Sequence, residues 1–229
     1  NFYENRKEGE NESYICELIR KDSIDDFITY VNENDYSLNS KIDASIYDTN
    51  SYILKASRIH NGMSLISYAV FYGSTQIFNY LRLNGVALES PLWACAVHGN
   101  DEEIIHTLEE NNITPNNTYI GPYYYLGIGD LRTYEDLFFE AIKCHHKDVA
   151  NYILNNYIIN NEEKSEKAFI KCIKYYNFSF LERDFIKESS LFVFIKYDYY
   201  LFISFLIQNK GVDLYATKIQ KINDLMIFH

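Results

Sequence analysis

Residues 90–108 read Ser90-Pro91-Leu92-Trp93-Ala94-Cys95-Ala96-Val97-His98-Gly99-Asn100-Asp101-Glu102-Glu103-Ile104-Ile105-His106-Thr107-Leu108. Ser90 before Pro91 is a helix start, a hydroxyl N-cap followed by proline at the first helical position. Leu92, Cys95 and Ala96 form a narrow apolar seam of small residues that lets a second helix approach closely. Gly99 ends that helix, and Asn100 or Asp101 caps the next, in which Ile104, Ile105 and Leu108 recur at helical spacing. Asn111-Asn112 closes it. The stretch therefore predicts two short helices joined by a tight break.

The same pattern recurs along the chain. Ile66, Ala69 and Val70 precede Gly73, and Ile77, Phe78 and Leu81 follow it, ending at Asn84-Gly85. Phe138, Ala141 and Ile142 precede His145, then Val149 and Ile153 lead to Asn155-Asn156. Upstream, Ile15, Leu18 and Ile19 precede Asp22-Ser23, followed by Ile24, Phe27, Ile28 and Val31. Downstream, Phe169, Cys172 and Ile173 precede Tyr176-Asn177, then Phe180, Leu181 and Phe185; Leu191, Phe194 and Ile195 precede Asp198, then Phe202, Ile203, Phe205 and Leu206. About six helix-turn-helix units result, near 13–35, 63–85, 90–112, 135–157, 165–188 and 189–215. Two stretches interrupt them. Residues 36–62 are expected to fold a short extra helix around Ser40–Ile46, and 116–133 lengthens one connecting finger.

Ser90-Pro91-Leu92 through Cys95-Ala96 to Gly99 resembles the ankyrin-repeat core, with Trp93 in the first His slot and Asn100 in the second. Val212-Asp213-Leu214 is similar to the close of an ankyrin unit. The Asn- and Tyr-rich wording, including Ala141–Asp148, resembles an ankyrin-type domain family expanded in AT-rich protist genomes. The resemblance implies an all-α, ankyrin-like solenoid of stacked helix pairs with irregular finger loops, running from 13 to 229 as one domain after a flexible segment at 1–12. The departures are in the spacing: Gly73, Gly99, His145, Tyr176 and Asp198 stand about 26, 46, 31 and 22 residues apart, against about 33 in an ankyrin array. Asparagine, as common here as tyrosine, takes the place of most helix-ending glycines, since it also tolerates the left-handed conformation.

Within 229 residues, Lys+Arg 21 against Asp+Glu 32 gives a net charge of -11, which argues against nucleic acid or an anionic membrane surface as partner. No apolar run reaches the roughly 18 residues a membrane helix requires. The chain opens Asn1-Phe2-Tyr3 without methionine, so an initiator and a leader are expected to be missing from it; residues 1–12 have no apolar run of the signal-peptide kind. Cys16, Cys95, Cys144 and Cys172 are dispersed, which implies reduced thiols in a cytoplasmic protein rather than a disulfide framework. The sequons at Asn11, Asn112, Asn116 and Asn177 read as chance in so Asn-rich a chain.

Catalytic signatures are few. Gly127-Ile128-Gly129-Asp130 lacks the third glycine and the Lys-Ser/Thr of a phosphate loop. Cys144-His145-His146 is a metal-like cluster, but adjacent helical residues point about 100° apart, so only a chain break at His145 would let it converge. Glu109-Glu110 and Glu162-Glu163 read as solvated faces. No cofactor, metal or catalytic residue is expected.

The resemblance places partner binding on the concave face and finger loops. The positions just before each break are Lys21, Tyr72, His98, Cys144, Tyr175 and Tyr197; one turn earlier stand Glu17, Tyr68, Ala94, Glu140, Lys171 and Val193. Expected contact residues are Tyr68, Tyr72, His98, Glu140, Lys171, Tyr175 and Tyr197, with Tyr123, Tyr124 and Tyr125 of the 116–133 finger. Tyrosine suits protein interfaces, while AT-rich codon usage also inflates it everywhere. The finger is either a recognition loop or padding over the neighbouring repeat. The expected function is a non-catalytic protein-interaction scaffold for a partner that is basic or neutral at the contact. The alternatives are a structural subunit held in a larger assembly such as a cytoskeletal array, with Leu225–Phe228 either its interface or a capping helix folded back on the sixth unit, and a metalloenzyme using His98, His145 and His146.

Overall fold

The computed structural model describes residues 2–115, 133–158, 162–180 and 191–210. Tyr123, Tyr124 and Tyr125, the rest of the 116–133 finger before Thr133, and Leu225–Phe228 lie outside the described residues. Among those described the chain is almost entirely helical, with one pair of two-residue strands. It divides into two compact units, Asn1–Ile158 and Ile159–His229, and each is taken by itself.

In the first unit α1 (Phe2–Glu8) occupies the segment expected to be a flexible lead-in. The backbone N–H and hydroxyl of Thr49 donate to the Gly9 carbonyl at 2.9 and 3.0 Å, anchoring the end of α1. Four helix pairs follow: α2 (Tyr14–Arg20) with α3 (Ile24–Glu33), α5 (Leu65–Phe71) with α6 (Thr75–Leu83), α7 (Leu92–Gly99) with α8 (Glu102–Glu110), and α9 (Tyr134–Cys144) with α10 (Lys147–Tyr157). The first helices pack in chain order, α2 on α5, α5 on α7 and α7 on α9. Their buried faces hold Ala69, Ala94, Cys95, Ala96 and Ala141 among larger apolar residues, the small side chains that allow this approach. Trp93 is fully buried, donates from Nε1 to the Ile113 carbonyl at 2.8 Å, and meets the edge of Tyr134.

The insertion at 36–62 differs from expectation. Lys41–Ile42 is not helical; it is strand β1, antiparallel to β2 (Met63–Ser64). Turn hydrogen bonds, Ser45 N–H to Asp48 Oδ2 at 2.7 Å among them, shape the residues that follow. The extra helix, α4 (Ser51–His60), starts later because the Asn50 side chain caps it, accepting from the amides of Tyr52 and Ile53. It ends at left-handed Asn61.

Each break between paired helices repeats one device. A residue with positive φ (Asp22, Gly73, Asn100, His145) closes the first helix. The next amide bonds five residues back: Ser23 to Leu18 at 3.0 Å, Ser74 to Ala69 at 2.8 Å, His146 to Ala141 at 3.0 Å. This is the Schellman closure; at Asn100 a single bond to the Ala96 carbonyl replaces it. Asn100, rather than Gly99, is thus the left-handed residue of the third pair. Tyr176 and Asp198 in the second unit adopt the same conformation, with Asn177 bonded to Cys172 and Tyr199 to Phe194.

The residue after the break then reaches across to the preceding pair. Ser74 Oγ donates to the Ile19 carbonyl, and His146 Nδ1 lies 2.7 Å from the Val97 carbonyl. In the second unit Tyr199 OH donates to Ile173 at 2.8 Å. Each accepting carbonyl lies three residues before its own break. Asp22 adds a further link: its carboxylate accepts from the amides of Gln76 at 3.0 Å and Ile77 at 2.9 Å, capping α6 from the neighbouring pair. Ser74, the residue before α6, makes no such cap. Asp22→Ala is expected to cost about 1–2 kcal/mol in urea denaturation, and Asp22→Asn, which keeps an acceptor, less than half of that.

Asparagine serves the second-helix ends differently from expectation. Asn34, Asn84, Asn111 and Asn156 donate from Nδ2 to the carbonyl four residues back, at 2.8, 2.8, 2.7 and 2.9 Å. Asn34, Asn84 and Asn111 keep negative φ, and the residues that follow, Asp35, Gly85 and Asn112, take the left-handed turn.

The second unit contains α11 (Glu162–Lys174), a 3-10 turn at Phe178–Phe180, α12 (Leu191–Lys196) and α13 (Tyr200–Lys210). Its core is Phe169, Ile173 and Phe194, with Val193, Tyr197, Phe202 and Ile203 packed on it; the rings of Phe194 and Phe202 stack at 4.9 Å.

Candidate functional site

The positions before the breaks do form a row along the stacked first helices of the first unit, but much of it is closed. Lys21 and Glu17 are exposed and paired at 2.6 Å. Tyr68 is fully buried, which corrects its assignment to an open contact face. Its hydroxyl accepts from Arg20 Nη1 at 2.9 Å, and the same nitrogen donates to the Asn11 carbonyl at 2.8 Å. Arg20 also pairs with Glu10 at 2.6 Å. Burial pushes the Tyr68 hydroxyl far above the usual phenol range, so Tyr68 stays a neutral partner for the guanidinium. Tyr72 rests against its ring at 4.7 Å and is half-buried.

The middle of the row is covered by the insertion. Tyr52 of α4 lies over His98 with ring centroids 4.4 Å apart and stacks on Phe71 at 5.6 Å. Its hydroxyl is 3.6 Å from Cys95 Sγ. His98 is thereby held between Tyr52 and Phe71, the latter at 4.9 Å. Nothing in the local sequence of 36–62 announces this contact, which joins residues 46 positions apart.

On the other side of His98 stand Glu140 and Cys144, one turn apart on α9. Cys144 Sγ is 3.4 Å from His98 Nδ1, and Glu140 Oε1 is 3.3 Å from His98 Nε2. The second contact does not meet hydrogen-bond geometry, so Nε2 is buried without a hydrogen bond. Lys143 Nζ donates to Glu140 Oε1 at 2.6 Å. Burial opposes ionisation of Glu140, but His98 and Lys143 outweigh it and hold the carboxyl down at about 2. Burial, with the Glu140 charge nearby, pushes the Cys144 thiol up to about 11, so it is a poor nucleophile at neutral pH.

The depressed carboxyl has a testable consequence. Its folded value lies below the unfolded one, so its contribution is present above about pH 4.5 and is lost as pH falls towards 2. That contribution is on the order of 3 kcal/mol. Glu140→Gln is expected to flatten this part of the acid limb of stability, read as the urea midpoint between pH 5 and pH 2.

His145 and His146 do not join His98 in one cluster: His145 is the left-handed residue of the break, and His146 Nδ1 faces the Val97 carbonyl. The group the structure brings together is His98, Glu140 and Cys144. Of the remaining candidates, Lys171, Tyr175 and Tyr197 are half-buried in the second unit. Glu109 is not a purely solvated acid: it accepts from Tyr152 at 2.9 and 2.8 Å and from Tyr157, whose ring stacks on Tyr134 at 3.9 Å. Burial and Glu109 push the Tyr152 hydroxyl up to about 12. The adjacent dent lined by Glu102, Ile105, His106, Val149 and Tyr152 encloses no space of its own. Among the described residues no helix is long and apolar enough to cross a membrane.

Comparison with protein-family models, with curated proteins and with solved structures finds no match.

Proposed function

We propose that the chain is a protein-interaction scaffold built as an ankyrin-like array of helix pairs, in which repetition of one hairpin, rather than a catalytic cleft, supplies the working surface. The observation that carries the reading is the reuse of one left-handed break, with its side-chain bond to the preceding pair, in both units. Such breaks keep successive first helices in register and give a partner an extended, stiff face. Tyr72 in the first unit, and Tyr175 and Tyr197 in the second, stand at the ends of first helices as half-buried rings with a polar tip, and Lys21 with Glu17 is exposed at the first break of the first unit. The net charge of -11 favours a partner that is basic or neutral at the contact, with association that weakens as salt rises. The setting we infer from four cysteines dispersed along the chain is the reducing cytoplasm.

The test is affinity capture with the native chain and with the Tyr72→Ala, Tyr175→Ala, Tyr197→Ala triple variant, each checked for an unchanged melting temperature. A protein held by the native chain, lost from the triple variant and released by salt supports the reading. Retention by the triple variant with loss on deletion of 116–132 assigns binding to the finger instead. Absence of any captured protein at low salt rejects the scaffold.

One observation favours a second reading, a subunit held permanently in a larger assembly. Helix α13 carries apolar residues around its circumference, with Leu201 78% and Tyr200 70% exposed, and a helix apolar on all sides belongs in an interior. Self-association of the isolated chain in sedimentation supports this reading; a stable monomer excludes it.

A further inference from the structure

We propose that His98, Glu140 and Cys144 form a zinc site that ties the third helix pair to the fourth. The inference is independent of the scaffold reading. The three residues offer a nitrogen, a carboxylate oxygen and a sulfur within 4.8 Å of one another. Tetrahedral zinc with bonds of about 2.0–2.3 Å holds its ligand atoms about 3.3–3.8 Å apart. Nε2 and Glu140 Oε1, 3.3 Å apart, fall in that range; Cys144 Sγ stands 3.4 Å from the other ring nitrogen, Nδ1, so the thiol must turn towards Nε2 for one ion to take all three.

A second observation points to a ligand. The His98 side chain is 10% exposed, and its Nε2 is enclosed with no hydrogen bond. A buried ring nitrogen left in this condition is unusual, and a metal ion supplies the missing interaction. The imidazole and the carboxylate are also held in place before any metal arrives. Tyr52 and Phe71 fix the imidazole plane from two sides. Glu140 and Cys144 share one face of α9 by their i,i+4 spacing, and Lys143 positions the carboxylate. Mixed sulfur and nitrogen donors select zinc over calcium or magnesium. Three protein donors leave the fourth position to water or to a group from a partner. Binding forms the sulfur–zinc bond and releases the thiol proton to solvent; no electron transfer is involved.

The test uses the full purified chain and zinc alone, titrated in competition with a chromogenic chelator. One zinc per chain is expected, together with a rise in melting temperature of about 5–10 °C at a zinc concentration 100 times the Kd. Cobalt in place of zinc should give a thiolate-to-metal charge-transfer band. Cys144→Ser should abolish the band, and Cys144→Ser and Glu140→Gln should each weaken zinc at least tenfold. Cys95→Ser, whose thiol contacts Tyr52, is the matched control and should keep both. Failure of the native chain to bind stoichiometric zinc, unchanged affinity in both variants, or loss of the band in Cys95→Ser would overturn the proposal. Should Cys144→Ser fail to fold by circular dichroism, Glu140→Gln and the native cobalt spectrum decide, absence of the band counting against the site.

Discussion

Replacing Tyr68 with alanine is expected to destabilise the first unit by about 3–5 kcal/mol, the range for deleting a large buried aromatic ring. The ring is fully buried between the first and second pairs, and its hydroxyl is one of two acceptors used by Arg20 Nη1. Alanine leaves a cavity and a mostly buried guanidinium short of one bond. The melting temperature should fall by about 6–20 °C, given about 2–4 °C per kcal/mol for a chain of this size. Tyr68→Phe keeps the ring and loses the hydrogen bond to a charged donor, for about 1.5–3 kcal/mol. An exposed contact tyrosine would behave otherwise: its removal would change partner affinity and leave the melting temperature within about 1–2 °C.

Gly99→Ala is expected to destabilise by about 2–3 kcal/mol, and here the sign is as informative as the size. In an isolated helix the change stabilises by about 1 kcal/mol, since alanine is the better helix former. In the stack, a Cβ at Gly99 would lie 2.2 Å from the Val70 carbonyl oxygen and 3.1 Å from the Gly73 nitrogen. Backbone cannot swing aside as a long side chain does, so α5 and α7 must separate and lose packing along their length. Gly85 gives the control. It has φ +86 with nothing within 4 Å of its Cβ position, so Gly85→Ala should cost only the left-handed strain, about 1–2 kcal/mol. Urea denaturation of the two variants side by side measures how much of the Gly99 effect comes from the stacked neighbour.

The helix pairs were legible because their cause is local. Ile104, Ile105 and Leu108 recur at helical period, and Asp101 caps its own helix by accepting from the Ile104 amide. His145, Tyr176 and Asp198 could be placed as breaks from the periodicity on either side, although tyrosine, unlike histidine and aspartate, is a poor choice for positive φ. What tolerates them is the closing pair of backbone bonds, which no composition argument supplies. The helix expected at Ser40–Ile46 was misplaced because strand pairing with Met63–Ser64, a contact across α4, overrides local preference. The cap that does start α4, Asn50 before Ser51, is a local signal of the same kind as Asp101.

The site was legible only in part, for the same reason. The i,i+4 spacing puts Glu140 with Cys144, and Tyr68 with Tyr72, on shared faces. Burial is decided by distant residues: Arg20 draws Tyr68 inward, and Tyr52 arrives from the insertion to cover His98. Cys144-His145-His146 suggested metal chemistry at three adjacent residues. The break sends His146 to the Val97 carbonyl and leaves Cys144 facing a histidine 46 residues earlier in the chain.

The central claim is that one left-handed break recurs between the described helices, in the Schellman form at every break but Asn100, and residue-resolved amide hydrogen exchange tests it most directly. The amides of Ser23, Ser74, His146, Asn177 and Tyr199, each the first residue after a break and each bonded to a carbonyl five residues back, are predicted to exchange as slowly as the interior amides of the adjoining helices. Exchange of these five amides at the rate of open turns, while the helices on either side stay protected, would show that the breaks are ordinary loops and would contradict the account.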